Sequence, residues 1–300
     1  MKLAITGGTG FVGSHLLDRA VGAGHRVRAL TRREQPERQG VSWVAGALDR
    51  PGSLARLVEG CDAVVHVAGV VSGSRAEFVR GNIAGTEAIV RATADAGIAR
   101  FVHVSSLAAR EPALSAYGWS KCISEKPVIA AGGDWTIIRP PAIYGPRERD
   151  LLELFRLARY RVVPLPSGGR LSVIAVEDLC DLILACLAAP ASFGRTYEPD
   201  DGRAGGWTTA EFARAIGRAV GRAVLPLPLP RIGLLAAARV ERLMRGGHAR
   251  LTPDRISYMT HPDWTAASHA HPPAELWRAA TATVDGLAAT ARWYRAQGWL

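Results

Sequence analysis

Thr6-Gly7-Gly8-Thr9-Gly10-Phe11-Val12-Gly13 is the stretch whose reading decides the fold. Before it, Lys2-Leu3-Ala4-Ile5 reads as a short buried strand. After it, Ser14 to Ala20 reads as an amphipathic helix. Strand, glycine turn and helix in that order are the setting that a dinucleotide fingerprint requires. Gly7 permits the tight turn, because no Cβ opposes a positive φ. Gly10 lets the backbone come close to a pyrophosphate, and Gly13 lets the helix pack close to the strand. Thr9, Phe11 and Val12 complete the turn. The free N–H groups of the helix start face the phosphates, with the helix dipole favouring negative charge. No Gly-Lys-Ser/Thr follows, so the stretch is not a P-loop.

Three hundred residues, 48% of them hydrophobic, suffice for one large or two small domains with a sizeable core. No apolar run reaches the ~18 residues of a membrane span; the best candidate, Leu179 to Ala189, contains Asp181. The first strand begins at Lys2, so no signal peptide is expected, and a cytoplasmic location follows. Cys61, Cys122, Cys180 and Cys186 show no C-x-x-C spacing and read as small buried hydrophobes. The net charge is +10, and only three of the 37 basic residues are lysines. The arginines are scattered in runs no longer than two, so no nucleic-acid partner is expected. Part of this charge can attract a phosphorylated cofactor.

Arg26 to Leu30 reads as the second strand, and Thr31-Arg32-Arg33 follows it. An NAD site places Asp or Glu there to bind the ribose 2′-OH. Arginine instead binds a 2′-phosphate through a charge-assisted fork, so NADP(H) is favoured over NAD. Val41 to Ala45 is strand three, Gly52 to Glu59 a helix, and Ala63 to Gly69 strand four. Ala68 and Gly69, at the C-terminal end of that strand, are candidate walls for the adenosine ribose and pyrophosphate. His66 is read as turned into the sheet. Ala76 to Ala96 reads as one long helix in which Asn82 turns inward.

Phe101 to Val104 is strand five, ending in Ser105-Ser106, and Tyr117-Gly118-Trp119-Ser120-Lys121 follows. Tyr117 and Lys121, at i and i+4, share one helix face. A cation beside a phenol stabilises the phenolate and lowers the tyrosine pKa. Such a tyrosine can pass a proton to or from a substrate oxygen near neutral pH, and a serine at the strand end can orient that oxygen.

With these residues in view, the chain resembles a short-chain dehydrogenase/reductase, more narrowly the extended, NAD-dependent epimerase/dehydratase-like branch. The resemblance rests on Thr6 to Gly13, His66 to Gly69, Asn82 to Thr86, Ser105-Ser106, Tyr117/Lys121, and Arg139-Pro140-Pro141-Ala142-Ile143-Tyr144-Gly145-Pro146. Val173 to Leu179 and the terminal Ala291 to Leu300 are similar to further family segments. It implies an α/β fold: a Rossmann-type doubly wound parallel sheet with helices on both faces, plus a smaller C-terminal α+β substrate lobe. The nucleotide domain would span 1–146 and be rejoined by about 171–198, with 147–170 and 199–300 forming the lobe. The resemblance implies Tyr117 as general acid/base, Lys121 as the group that lowers its pKa and binds the nicotinamide ribose, and Ser106 as the carbonyl-polarising serine. Pro140 and Ile143 join the cofactor contacts, and Ser105 is left as a nucleotide-side or structural hydroxyl. A homodimer through helices near 76–96 and 115–130 is also implied.

The chain departs from the family in four places. Gly46-Ala47-Leu48 stands where the family often has Gly-Asp-Leu, so Leu48 offers only backbone groups to the adenine. Leu107-Ala108 replaces the acid pair of sugar-nucleotide dehydratases, which argues against water elimination. Only 11 positions separate Ser106 from Tyr117, leaving less chain for a sugar-binding wall. Pro127 is expected to kink or end the catalytic helix, because it removes a backbone donor.

Further on, Glu148 to Arg159 reads as a helix, Pro164 to Gly169 as a loop, and Thr208 with Glu211 as a capping box. Val224 to Pro230 reads as an extended spacer. His261, His269 and His271 read as a solvated loop rather than a metal site. The leading functional expectation is an NADP-dependent oxidoreductase interconverting a carbonyl and a secondary alcohol on a small molecule, with no membrane partner. A sugar-nucleotide epimerase would use the same three residues. A non-catalytic NADP(H)-binding sensor is the reading from a different class.

Overall fold

The computed structural model of the protein describes residues 1–246 and 252–300. It divides into two compact units. The first comprises Met1–Pro140, Val176–Pro199 and Ser268–Arg278, and the second Pro141–Ala175, Asp200–Ala267 and Ala279–Leu300. Elements are numbered along the whole chain.

The first unit is a Rossmann-type parallel sheet. Its strands are β1 (Lys2–Thr6), β2 (Arg26–Thr31), β3 (Val41–Ala45), β4 (Ala63–His66), β5 (Arg100–Val104), β6 (Asp134–Ile138) and β11 (Arg195–Tyr197). They lie in the order β11-β6-β5-β4-β1-β2-β3, every neighbour parallel. The order reverses between β1 and β4, and a nucleotide crevice opens at such a point beyond the strands' C-terminal ends. Helices α1 (Phe11–Gly22) and α7 (Val176–Ala188) pack together. A separate group holds α2 (Pro51–Val58), α4 (Gly85–Asp95) and α5 (Ala116–Ala130). Covered strands become apolar on both sides. Ala4, Leu30, Val64, Phe101 and Ile137 form a core with Leu54, Leu57 and Ile89 of α2 and α4. Their neighbours Leu3, Ile5, Val65 and Val102, also buried, point to the opposite face by the strand's period of two.

Two expectations for this unit change. Residues 76–96 are not one α-helix: α3 (Arg75–Phe78) runs into a π-helical turn, Val79–Ala84, and then into α4. The capping box of Ser74 and Glu77 starts α3. Pro127 does not end α5, which continues to Ala130. Its missing N–H costs one helical bond, while its carbonyl still accepts from Ala131 N at 3.1 Å.

The second unit is α+β. It holds β7 (Ala142–Tyr144), α6 (Leu152–Ala158), β8 (Val162–Pro166), β9 (Arg170–Leu171), β10 (Val173–Ala175), β12 (Trp207–Thr208) and α8 (Thr209–Val220). β13 (Leu225–Leu229), α9 (Arg231–Arg245), α10 (Pro253–Met259), β14 (Asp263–Trp264) and α11 (Thr283–Ala296) complete it. Buried Tyr144, Phe155, Trp207, Phe212 and Tyr294 centre its core. α6 starts at Leu152 and not at Glu148, because the buried Glu148 carboxylate accepts from the backbone N–H groups of Asp150 and Leu151 and holds a turn there. Residues 164–166, expected in a loop, are strand. Val162–Pro166 pairs in parallel with Leu225–Leu229, and each proline sits opposite a non-proline. Thr208 and Glu211 form the expected capping box. All four cysteines are free thiols, three of them buried. Among the described residues there is no metal-like cluster of His, Cys, Asp or Glu, and no helix is long and apolar enough to cross a membrane.

The glycine turn is sterically closed. Gly7 has φ 77°, and a Cβ on it would lie 2.6 Å from Ala68 N. A Cβ on Gly13 would lie 2.0 Å from Gly7 O. We expect Gly13→Ala to force α1 off the turn that follows β1 and to destabilise the chain by about 1–3 kcal/mol, the usual cost of overpacking. Chemical denaturation reads this as a lower midpoint, and an unchanged midpoint would disprove the close approach.

Candidate active site

The glycine turn leads directly into α1. Gly10 is the N-cap, no side chain caps the helix, and its first turn carries no acid. The first N–H groups of a helix have no intrahelical acceptor. Phe11, Val12 and Gly13 therefore present donors to an anion, and a Cβ could not fit at Gly7 or Gly13. Both features suit a dinucleotide pyrophosphate. Thr9 and Gly10 are exposed beside them. Thr31 ends β2 buried, and its hydroxyl donates to Arg33 O at 2.6 Å. Arg32 and Arg33 are exposed just beyond. Ala47 is tied by its backbone to Ser53 Oγ, and Leu48 packs on the core of this face.

Ala68 N donates to Thr6 Oγ1 at 3.3 Å, which lies 2.6 Å from His66 Nδ1; His66 Nε2 lies 2.9 Å from Thr86 Oγ1. Thr86 in turn donates to Asn82 O. These directions are mutually consistent when the His66 proton sits on Nε2. His66 is fully buried and stacked on His103 at 5.3 Å. Burial first, and then the Lys121 charge, push its pKa down to about 3. The same two causes, with His66 added, push His103 well below its usual range. Both rings are therefore neutral parts of the sheet, as expected for His66.

Ser105 and Ser106 follow β5. Their environments differ. Ser105 Oγ donates to Glu125 Oε1 at 2.5 Å. Ser106 caps the 3-10 turn Leu107–Arg110, accepting from Ala108 N at 3.2 Å. Leu107 N donates to Pro140 O at 2.9 Å. Ile143 belongs to β7 of the second unit.

Tyr117 lies in the first turn of α5, half-buried, with its ring 6.1 Å from that of Phe78. Ser115 caps the helix by accepting from Gly118 N. A Cβ on Gly118 would lie 2.6 Å from Ala108 O, so this glycine lets the head of α5 lie against the turn that Ser106 caps. One helical turn on, Lys121 is buried and donates from Nζ to Val104 O at 2.8 Å. Burial lowers its pKa from 10.5 to about 8, against the opposing pull of the Glu125 carboxylate.

Two supports complete the site, the first the inward-turned Asn82 expected from sequence and the second not read from it. Asn82, in the π turn, receives Val70 N on Oδ1 at 2.6 Å and donates from Nδ2 to Val70 O and Ser120 Oγ. Its Oδ1 would crowd a Cβ on Gly69 at 3.2 Å, and Lys121 Nζ would lie in ordinary contact with it at 3.7 Å. π turns recur at functional sites. The second support is an ion network. Arg139 grips buried Glu125 with two bonds, 2.9 and 2.7 Å, and also meets buried Glu198, which pairs with Arg110. The bond to Glu125, more than any other cause, raises the Arg139 pKa. The available signal was spacing: Tyr117, Lys121 and Glu125 recur every four residues on one face.

The chain is similar to known proteins over nearly its whole length. The model of the NAD dependent epimerase/dehydratase family matches residues 3–198. The chain is 38% identical over 310 residues to a ceramide reductase of Caulobacter vibrioides, covering 99% of this chain and 96% of that protein. It is 32% identical over 234 residues to the 4-hydroxy-2-methyl-3-oxo-4-farnesyl-3,4-dihydroquinoline-1-oxide ketoreductase of Stigmatella aurantiaca, covering 67% and 69% of the two chains. In fold it is similar to MoeE5, solved in complex with UDP-glucose and NAD, with a TM-score of 0.74, 20% identity and 99% of each chain covered. The chain therefore belongs to the NAD-dependent epimerase/dehydratase family and is an NAD(P)-dependent oxidoreductase of the extended short-chain dehydrogenase/reductase type.

Proposed function

We propose that the chain is an NADP(H)-dependent reductase that converts a ketone on a long-chain, lipid-like molecule into the secondary alcohol. The observation that carries the chemistry is the buried Lys121, held by Val104 O one helical turn from Tyr117. When bound, the nicotinamide supplies the hydride. Tyr117 delivers the proton to the carbonyl oxygen, and the Lys121 charge favours the phenolate left behind. Ser106 orients the same oxygen. It accepts one bond, from Ala108 N, and its O–H remains to donate, whereas the Ser105 proton is committed to Glu125.

NADP(H) is supported by Arg32 and Arg33, exposed beyond β2, neither paired with a carboxylate among the described residues. The substrate class is supported by the relatives. One matching nearly the whole chain is named for ceramide, and another for a farnesyl-bearing ketone. Both names describe reductases, which weighs against returning a hydride to a sugar nucleotide.

Tyr117→Phe should lower kcat for ketone reduction about 10²–10⁴-fold, the usual range for a general acid, while NADPH still binds. Full-rate turnover would remove Tyr117 from the proton transfer. Arg32→Ala should lower the NADPH/NADH ratio of kcat/KM by about 10–100-fold, as one charge-assisted bond is worth about 1.5–3 kcal/mol. An unchanged ratio would leave NADP selection without its residue. Lys121 predicts a pH signature in stability. Its folded pKa, about 8, lies below its ordinary 10.5, so the unfolded chain binds more protons between those values. The buried charge therefore costs stability fully below about pH 8, on the order of 3 kcal/mol, and the cost fades toward pH 10.5. Relative to the wild type, Lys121→Met should be more stable at pH 7 than at pH 10 by about that amount. A pH-independent difference would mean that Lys121 is not buried as an ammonium.

A further inference from the structure

Helix α9 buries one side only. Leu234 and Ala238 pack with Ile256 of α10, and with partly buried Leu229 and Leu235. The opposite side is apolar and in solvent. Ile232 is 80% exposed, Val240 56%, Leu243 87% and Met244 82%, and Ala236 is exposed between them. At about 100° per residue, positions 232, 236, 240, 243 and 244 share a sector roughly 120° wide, nearly opposite Leu234 and Ala238. No charged residue falls inside it. The charges of the helix are Arg231, Arg239, Arg242 and Arg245 against Glu241 alone, a net of 4 − 1 = +3. The exposed Arg239 borders the stripe at Ile232. The strand on which α9 packs extends the pattern, because Leu225 and Leu227 of β13 and Val162, the register partner of Leu225, are exposed as well.

An exposed apolar stripe of this size on a soluble surface marks an interaction face. Its charge selects the occupant. Two copies meeting through this stripe would bring two +3 helices together. A bilayer with anionic headgroups satisfies both features at once: apolar side chains enter the acyl boundary and guanidinium groups take lipid phosphates. The helix has 15 residues, about 22 Å at 1.5 Å per residue, too short to span the ~30 Å hydrocarbon core but suited to lie along its surface.

We propose that α9 docks the protein on an anionic bilayer surface, with Ile232, Ala236, Val240, Leu243 and Met244 in the interface and the helix parallel to the membrane plane. This deepens the lipid-ketone reading and rests on it only for purpose: a reductase seated on the bilayer meets a substrate that scarcely leaves it.

The test is flotation of the full chain with phosphatidylcholine vesicles, with and without phosphatidylglycerol. The wild type should float with the anionic vesicles, and added salt should release it. Ile232→Asp/Leu243→Asp should cut binding at least about tenfold, and Arg231→Gln/Arg239→Gln about fivefold per arginine. These four residues are exposed, so both variants should keep the wild-type thermal midpoint, NADPH affinity and turnover of a short, water-soluble ketone. Absence of wild-type flotation overturns the proposal. So does sedimentation showing a dimer that Ile232→Asp/Leu243→Asp dissolves, which would give the stripe to a second copy. Flotation needs no turnover, so its failure leaves the reductase reading standing. Flotation without activity on any long-chain ketone instead overturns that reading alone.

Discussion

A buried ammonium constrains the centre of the nucleotide unit. Lys121 gives up water for a single described hydrogen bond to Val104 O, and burial lowers its pKa. Everything packed near it is arranged around that charge. The histidines of β4 and β5 stay neutral, because burial and the Lys121 charge both oppose their protonation. The nearest acid along the helix, Glu125, is not left to neutralise the lysine alone, since Arg139 and Ser105 also bind its carboxylate. The Lys121 charge is thus only partly offset, one helical turn from Tyr117.

Two close approaches of backbone set the geometry at the C-terminal ends of β1 and β5. Gly13 brings α1 against the turn that follows β1, and Gly7 brings that turn against the segment after β4, so that the uncapped N–H groups of α1 open at the sheet's C-terminal edge. Gly118 brings α5 against the turn capped by Ser106. Asn82 supplies the cross-tie, reaching from the π turn to Val70 and Ser120. A π turn suits that cross-tie, because an extra residue per turn re-aims one side chain without ending the helix. Buried polar groups are costly unless satisfied, and here His66, Asn82, Ser105 and Lys121 each have a hydrogen-bond partner.

The second unit solves a different problem. Its two proline-rich segments lack the donors for an ordinary ladder, yet they pair because each proline faces a residue that keeps its N–H. On the far side of that ribbon's helix, the packing leaves Ile232, Val240, Leu243 and Met244 in water. A hydropathy scan that seeks spans passes over them, since apolar and basic residues alternate along the sequence and separate only around the helix axis.

The sequence alone determined the nucleotide unit, because its signals are local. Strand periodicity, glycine spacing and the i, i+4 relation of Tyr117 to Lys121 are each complete within a few residues. The free energy that shapes the rest comes from partners far apart in the chain, and no local pattern encodes it. Only the tertiary structure decided that Ser105 is committed to Glu125, twenty residues on, while Ser106 caps its own turn. It alone broke the helix at Val79–Ala84 around Asn82 and carried α5 through Pro127. It alone turned residues 164–166 into strand, by pairing them with a segment about sixty residues away. Burial, finally, is a property of the fold: the apolar stripe of α9 is ordinary as sequence and becomes a surface only once Leu234 and Ala238 have taken the inside.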